Sequence, residues 1–159
     1  MIKYAEEMIC FQEVPDEITL SFSISNCPRR CEGCHSAYLS QDIGLPLKQH
    51  LLPAIEANKG LITCVLFMGG DDEKQIDELR DCIEICHREK LKVALYTGSD
   101  EFPSQLSTSL DYIKYGHYDK SRGGLTNQNT NQRFYKKNNG KWVDITYRFW
   151  KTPKEQYED

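Results

Sequence analysis

The chain alternates between short apolar runs and longer segments with charged side chains. Apolar and polar residues alternate over 18–25, and this period of two predicts a half-buried strand. A continuous apolar run rich in β-branched residues at 61–67 predicts a strand that is buried on both faces. Further apolar runs at 91–96 and 111–115 predict a third and a fourth strand.

Helices are predicted between these strands. Apolar residues recur at helical spacing over 73–90, with charged residues between them. An apolar-rich stretch at 46–58 also predicts a helix, in which Pro53 marks either a kink or the true first turn. A short helix is expected within 103–110.

The last third of the chain has a different pattern. The polar segment 120–132 predicts a loop. The stretches 132–137 and 141–146 predict a hairpin, because the Asn139-Gly140 pair between them suits a tight turn with positive φ angles. Residues 1–17 are mixed in character and end in a turn signal at 14–17.

Strand–helix alternation from 18 to 115 predicts parallel βαβ units. We therefore expect a single α/β domain over residues 1–159, with its core at about 18–136 and a charged tail after about 147. In such sheets the ligand site lies at the carboxyl ends of the strands. The chemically suggestive segments follow predicted strands and should meet at one edge: 27–34, 69–72, 96–98 and 114–116.

The first of these segments contains three cysteines, Cys27, Cys31 and Cys34, in a C-x3-C-x2-C pattern. Thiolates this close repel one another, so a metal, a disulfide or protonation must relieve them. Soft thiolate ligands favour zinc, copper(I) or an iron–sulfur cluster. Zinc would need a fourth ligand, which His35 or a distant residue could supply. A four-iron cluster bound by three cysteines would keep one iron for a substrate or cofactor.

The cysteine pattern resembles the signature of radical S-adenosylmethionine (radical SAM) enzymes. Within that superfamily, the chain resembles the activating proteins of anaerobic ribonucleoside-triphosphate reductases. The stretches that carry this resemblance are 20–27, 31–35, 68–72, 95–98, 111–116 and 130–135.

The resemblance implies a shortened, open β/α barrel (a partial TIM-type barrel). It implies a [4Fe–4S] cluster held by Cys27, Cys31 and Cys34, with S-adenosyl-L-methionine completing the remaining iron. The residues that it suggests for binding this cofactor are His35, Gly69, Gly70, Asp71, Thr97 and Lys114. The implied activity is the generation of a glycyl radical on the large subunit of the reductase, with flavodoxin or a similar protein as the one-electron donor.

Each of these cofactor residues also has a plainer interpretation. Gly69 and Gly70 could form an ordinary turn, and Asp71 could cap the helix that follows. Thr97 could simply end its strand, Lys114 could pair with a surface acid, and His35 could face solvent.

Composition restricts the class of protein. A net charge of −4 argues against a nucleic-acid-binding surface, which would show a basic patch. No apolar run approaches the eighteen or so residues of a membrane span, and the first residues lack a signal-peptide pattern, so we expect a cytoplasmic protein.

Seven cysteines cannot all pair, which favours metal binding over a disulfide framework. Cys64, Cys82 and Cys86 are expected to pack in the core, although Cys82 and Cys86 could also begin a second cluster. Cys10 is uninformative.

Three other functions fit the sequence. The chain could activate another glycyl-radical enzyme of the pyruvate formate-lyase type. It could be a non-enzymatic iron–sulfur or zinc-binding module, which would need a fourth protein ligand. It could also be a degenerate member of the family that has a cluster but no partner.

Overall fold

The structure is a computed structural model that describes residues 1–28 and 37–151. These residues form an eight-stranded sheet and two α-helices. The strands are β1 (Lys3–Cys10), β2 (Thr19–Ile24), β3 (Leu45–Pro46), β4 (Cys64–Met68), β5 (Lys92–Tyr96), β6 (Tyr112–Tyr115), β7 (Arg133–Asn138) and β8 (Lys141–Asp144). The helices are α1 (Leu47–Ala57) and α2 (Ile76–Arg88), and short 3-10 turns cover Ala37–Ser40, Ser107–Ser109 and Thr146–Phe149.

The centre of the sheet is parallel. Its strand order is β3-β1-β2-β4-β5-β6-β7-β8, and the pairs β2–β4, β4–β5 and β5–β6 run parallel. The pairs at both edges of the sheet are antiparallel. The four strands of the parallel centre are those that the sequence predicts. The open β/α barrel that the resemblance implies stays a prediction.

The core lies on both faces of this sheet. On one face, α1 and α2 pack against alternate strand residues, and Phe22 and Phe67 stack with their ring centroids 6.3 Å apart. On the other face, a smaller cluster surrounds Leu66, Tyr112 and Phe134. Because β4 and β5 are covered on both sides, their sequences are continuously apolar rather than alternating.

The N-terminal segment contains an element that the sequence analysis does not identify, because 3–10 forms strand β1. This strand pairs antiparallel with β2 from Tyr4 to Cys10, with an irregularity between Tyr4 and Glu6, but Glu6, Glu7 and Met8 remain exposed. A strand that is mostly uncovered carries little hydrophobic periodicity, so the sequence gives no signal for it.

Pro53 lies inside α1 and does not begin the helix, since α1 starts at Leu47. The expected helix within 103–110 is only the 3-10 turn Ser107–Ser109. The hairpin at β7–β8 is confirmed, with Asn139 and Gly140 at positive φ. In the described part of the chain, no helix has the length and apolar character needed to cross a membrane.

A buried carboxylate joins the amino-terminal ends of three parallel strands. Glu17 is 7% exposed; its carboxylate accepts hydrogen bonds from the Tyr112 hydroxyl at 2.6 Å and from Lys92 Nζ at 3.0 Å. Burial alone would raise the pKa of Glu17, but the hydrogen bonds from Tyr112, Thr63 and Lys92 outweigh it and lower the pKa. This end of the sheet is opposite to the carboxyl ends, so we assign Glu17 to stability.

Glu17→Gln is expected to lower the free energy of unfolding by about 1–2 kcal/mol at neutral pH, because it weakens two charge-assisted hydrogen bonds. The folded pKa lies below the ordinary value of 4.5, so the carboxylate stabilises the fold above that value. Its contribution is lost as the pH falls through the folded pKa.

Thermal melts of both proteins between pH 7 and pH 3 measure this effect, and the gap in Tm should close on acidification. Glu56→Gln on the exposed side of α1 is the matched control and should melt like the parent. A gap that stays constant down to pH 3 would contradict the assignment.

Candidate iron–sulfur site

A cavity of about 710 Å³ lies at the carboxyl ends of the parallel strands. Its volume is within the range of roughly 300–1,000 Å³ that is usual for cofactor and small-molecule sites. Residues at or just beyond the ends of β2, β4, β5 and β6 line it, together with the segment 39–41. The predicted site residues on this wall are Cys27, Gly69, Gly70, Asp71, Thr97 and Lys114. Described residues from each of the four segments that the sequence predicts at one edge therefore line one cavity.

Cys27 lies at the end of β2, where two backbone hydrogen bonds join the segments on either side of 29–36. Cys27 N donates to Leu39 O at 2.8 Å, and Asn26 N donates to Gln41 O at 3.1 Å. These bonds hold the backbone of Cys27 beside the cavity. The other predicted ligands, Cys31 and Cys34, and the predicted cofactor residue His35 lie outside the described residues.

The remaining cysteines in the described ranges are poor ligands. Cys64, Cys82 and Cys86 have no exposed surface, and the prediction that they pack in the core is confirmed. Burial raises the pKa of all three thiols, that of Cys82 to about 12, so they remain protonated at neutral pH. A second cluster at Cys82 and Cys86 would have to overcome this cost.

Gly69 and Gly70 form the turn that follows β4, with φ angles of +106° and +90°. A residue with a Cβ would be strained at either φ, which explains why the turn uses two glycines. Gly69 N donates to Tyr96 O at 2.9 Å, so the turn is attached to the end of β5. The turn thus brings polar backbone to the wall of the cavity.

The two aspartates after this turn have different partners. The Asp72 carboxylate accepts hydrogen bonds from Lys74 N at 3.1 Å and from Gln75 Nε2 at 2.6 Å, in the turn that leads into α2. Asp71 Oδ2 instead accepts a hydrogen bond of 2.6 Å from the Thr97 hydroxyl. Both aspartates line the cavity, but the Asp72 carboxylate bonds within its own turn, whereas the Asp71 carboxylate is held by a residue at the end of β5.

Thr97 is 3% exposed and connects β5 to the turn after β4. Its hydroxyl donates its single proton to Asp71 and accepts a hydrogen bond from Ser99 N at 3.1 Å. With the proton committed in this way, Thr97 is better suited to orienting Asp71 than to donating to a ligand.

Lys114 provides positive charge on the opposite side of Thr97. Its Nζ lies 4.8 Å from the centroid of the Tyr96 ring, a cation–π distance, and Thr97 N donates to Lys114 O at 2.9 Å. The Tyr96 hydroxyl donates to Glu13 O, which fixes the ring. The cavity therefore has a carboxylate in the turn after β4 and an ammonium group on β6, and this pair complements a zwitterionic ligand.

The residues that line the cavity without having been predicted as site residues include Tyr118 and Gln132. Both lie in or beside the polar loop between β6 and β7, where no periodicity indicates which way a side chain points. Gln132 belongs to the stretch 130–135, which carries part of the family resemblance but suggested no chemistry for its residues.

The family model described as "4Fe-4S single cluster domain" matches residues 18–135. The chain therefore belongs to this family and carries a 4Fe–4S cluster-binding domain. No curated protein and no solved structure matches the chain. A cysteine at an accessible cavity, beside polar backbone and away from the protonated core thiols, is compatible with a thiolate-bound cluster.

Proposed function

We propose that this chain is a radical SAM activase that generates the glycyl radical of an anaerobic (class III) ribonucleoside-triphosphate reductase. The observation that supports this proposal most directly is one cavity lined by Cys27, by the turn at Gly69 and Gly70, and by the charged pair Asp71 and Lys114. The chain belongs to a cluster-binding family, and a cavity of cofactor size lies beside the candidate iron ligand Cys27. Together these two findings support the binding of a cofactor next to the cluster.

In this proposal Cys27, Cys31 and Cys34 hold the cluster. When bound, the cluster, reduced by one electron from a donor protein, and S-adenosylmethionine would supply the radical chemistry, with release of methionine and 5′-deoxyadenosine, that removes a hydrogen atom from a glycine Cα. The chain's own contribution is to hold the cofactor in a fixed orientation in the cavity. No acid–base residue is required.

The chain's own residues bind the amino-acid end of the cofactor. Asp71 receives the ammonium group, with the backbone of Gly69 and Gly70 beside it. Lys114 pairs with the carboxylate, and its contact with Tyr96 directs it towards the cavity. Two opposite charges at the ends of separate strands fix which way round the amino acid lies.

Thr97 is expected to act through Asp71. Thr97→Val removes the hydrogen bond to Asp71 and should raise KM for S-adenosylmethionine about threefold to tenfold, because one hydrogen bond that orients a charged group is lost. Thr97→Ser keeps the hydroxyl and should restore KM to near the parent value.

The steady-state rate of 5′-deoxyadenosine formation, measured with dithionite as reductant, gives kcat and KM for each variant. A positioning role predicts that kcat changes little in Thr97→Val. Thr97 does not act by orienting Asp71 if Thr97→Ser and Thr97→Val lose activity equally. The same conclusion follows if kcat of Thr97→Val falls while its KM stays constant.

The proposed partners are the large subunit of the reductase and flavodoxin or a similar donor, and the proposed compartment is the cytoplasm. The direct test mixes the reduced chain and S-adenosylmethionine with the reductase and records electron paramagnetic resonance of the reductase.

A carbon-centred doublet that collapses when the reductase carries glycine deuterated at Cα would support the assignment. Pyruvate formate-lyase is the parallel substrate, and a radical formed there but not on the reductase would favour the alternative activase. Cofactor cleavage with no radical on either protein would contradict the reductase assignment.

A further inference from the structure

The segment 38–44, which leads into β3, is attached to strand β1. Gly44 has φ +98°, and a Cβ there would lie 2.0 Å from Tyr4 O, so glycine alone allows this close approach. The Tyr38 hydroxyl donates to the Glu6 carboxylate, and β3 pairs antiparallel with β1 directly after the segment. Strand β1 therefore holds this segment in one position.

Asp42 connects this segment to β1 and to the end of β2 at the same time. Its Oδ1 accepts from Lys3 Nζ at 2.9 Å and from Asn26 Nδ2 at 3.1 Å. The backbone carbonyl of Lys3 in turn accepts from Ser25 N at 3.0 Å and from Ser25 Oγ at 3.2 Å. Strand β1, the end of β2 and the segment 38–44 therefore meet at one carboxylate oxygen.

Asn26 passes this connection on to the candidate iron ligand Cys27, which follows it in the chain. Asn26 has φ +60°, a left-handed conformation that asparagine adopts more readily than most residues. Its backbone N donates to Gln41 O at 3.1 Å, and Cys27 N donates to Leu39 O at 2.8 Å. With the side-chain bond to Asp42, three hydrogen bonds join the chain on the two sides of the cysteine motif.

Joining the two sides of the motif in advance favours cluster binding. Bringing separate parts of a chain together costs conformational entropy, and a site that is already assembled loses less of it when the ligand binds. Residues that orient a metal ligand without touching the metal commonly change metal affinity by roughly ten- to a hundredfold. The Asp42 side chain is 65% exposed, so solvent screens its charge and a smaller effect is expected from it.

We infer that Asp42 is a positioning residue for the iron–sulfur cluster. By accepting hydrogen bonds from Lys3 and Asn26, it holds the backbone of Cys27 against the segment 38–44 and so slows the loss of the cluster. Asp42 does not line the cavity and acts through Asn26. The inference goes beyond the proposed function, since it requires the cluster but neither S-adenosylmethionine nor the reductase.

The experiment measures how fast iron leaves the anaerobically reconstituted protein after a ferrous-iron chelator is added, from the absorbance of the chelate. Asp42→Ala removes both hydrogen bonds and should release iron about threefold to tenfold faster than the parent. Asp42→Asn keeps an oxygen that can accept from Lys3 and from Asn26. Its release rate should therefore stay within about twofold of the parent rate.

Asp81→Ala is the matched control, because Asp81 forms an ion pair of the same length, 2.9 Å, with Lys48, and its side chain is 53% exposed. This pair joins α1 to α2, and neither residue lines the cavity. Asp81→Ala should release iron at the parent rate, and the Tm of the two alanine variants should be similar.

Iron release at the parent rate from Asp42→Ala, or equal acceleration in Asp81→Ala, would overturn the inference and leave the proposed function standing. Release from Asp42→Asn that is as fast as from Asp42→Ala would also overturn it, because the hydrogen bonds would not be responsible. A parent protein that binds no cluster would overturn both the inference and the proposed function.

Discussion

Cys27→Ala is expected to remove the cluster and to reduce the cleavage of S-adenosylmethionine by at least about a hundredfold. Loss of a residue that only supports a metal ligand commonly costs ten- to a hundredfold, so loss of a ligand should cost no less. The Cys27 backbone is fixed by its hydrogen bond to Leu39 O, so the fold around it should survive the substitution. Iron and sulfide content after anaerobic reconstitution, together with 5′-deoxyadenosine formation, measures the effect.

Cys10→Ala provides the matched control. Cys10 is 8% exposed at the end of β1, and burial and the nearby Glu13 raise the pKa of its thiol. The Cys10→Ala variant should keep the full iron content and activity. If Cys27→Ala retains a stable four-iron cluster, or if Cys10→Ala loses it, the assignment of Cys27 as a ligand is wrong.

Asp71→Asn is expected to raise KM for S-adenosylmethionine about tenfold to a hundredfold, because a hydrogen bond to a charged group is worth about 1.5–3 kcal/mol. Asparagine keeps the size of the side chain and can still accept the hydrogen bond from Thr97. The substitution therefore removes the negative charge with little change in geometry. Cofactor-dependent kinetics and calorimetry with the reconstituted protein measure the loss.

Asp72→Asn tests the division of roles between the two aspartates. Asp72 lies one residue away, and its carboxylate accepts hydrogen bonds from Lys74 N and Gln75 Nε2 in the turn before α2. Its substitution should lower stability by less than about 1 kcal/mol and leave KM unchanged. Equal effects of both substitutions on KM would show that the cavity responds to total charge and not to Asp71.

The sequence predicts the parallel centre of the sheet well for a physical reason. Strands β4 and β5 are buried on both faces, so their continuous apolar runs have few other interpretations. The position of the cavity follows from topology, since parallel strands all end at the same edge. These two rules together bring Cys27, Asp71 and Lys114 to one place without any knowledge of side-chain contacts.

Side-chain pairing could not be predicted in the same way. Asp71 and Asp72 are adjacent residues of the same type, so the sequence cannot distinguish their roles. The hydrogen bond that the Thr97 hydroxyl donates to the Asp71 carboxylate distinguishes them in the structure. Gln132 reaches the cavity because Gly116 allows close packing of a polar loop, a contact 16 residues apart in sequence. The barrel, the roles of Cys31, Cys34 and His35, and the partner proteins remain predictions.

The proposed function requires that a cluster in this cavity binds S-adenosylmethionine directly. Electron paramagnetic resonance of the anaerobically reconstituted, dithionite-reduced protein, recorded with and without the cofactor, tests this requirement. We expect a [4Fe–4S]⁺ signal that changes when the cofactor is added, accompanied by 5′-deoxyadenosine. A cluster signal that is indifferent to the cofactor, or a protein that holds zinc in place of iron, would overturn the proposed function and favour a non-enzymatic metal-binding module.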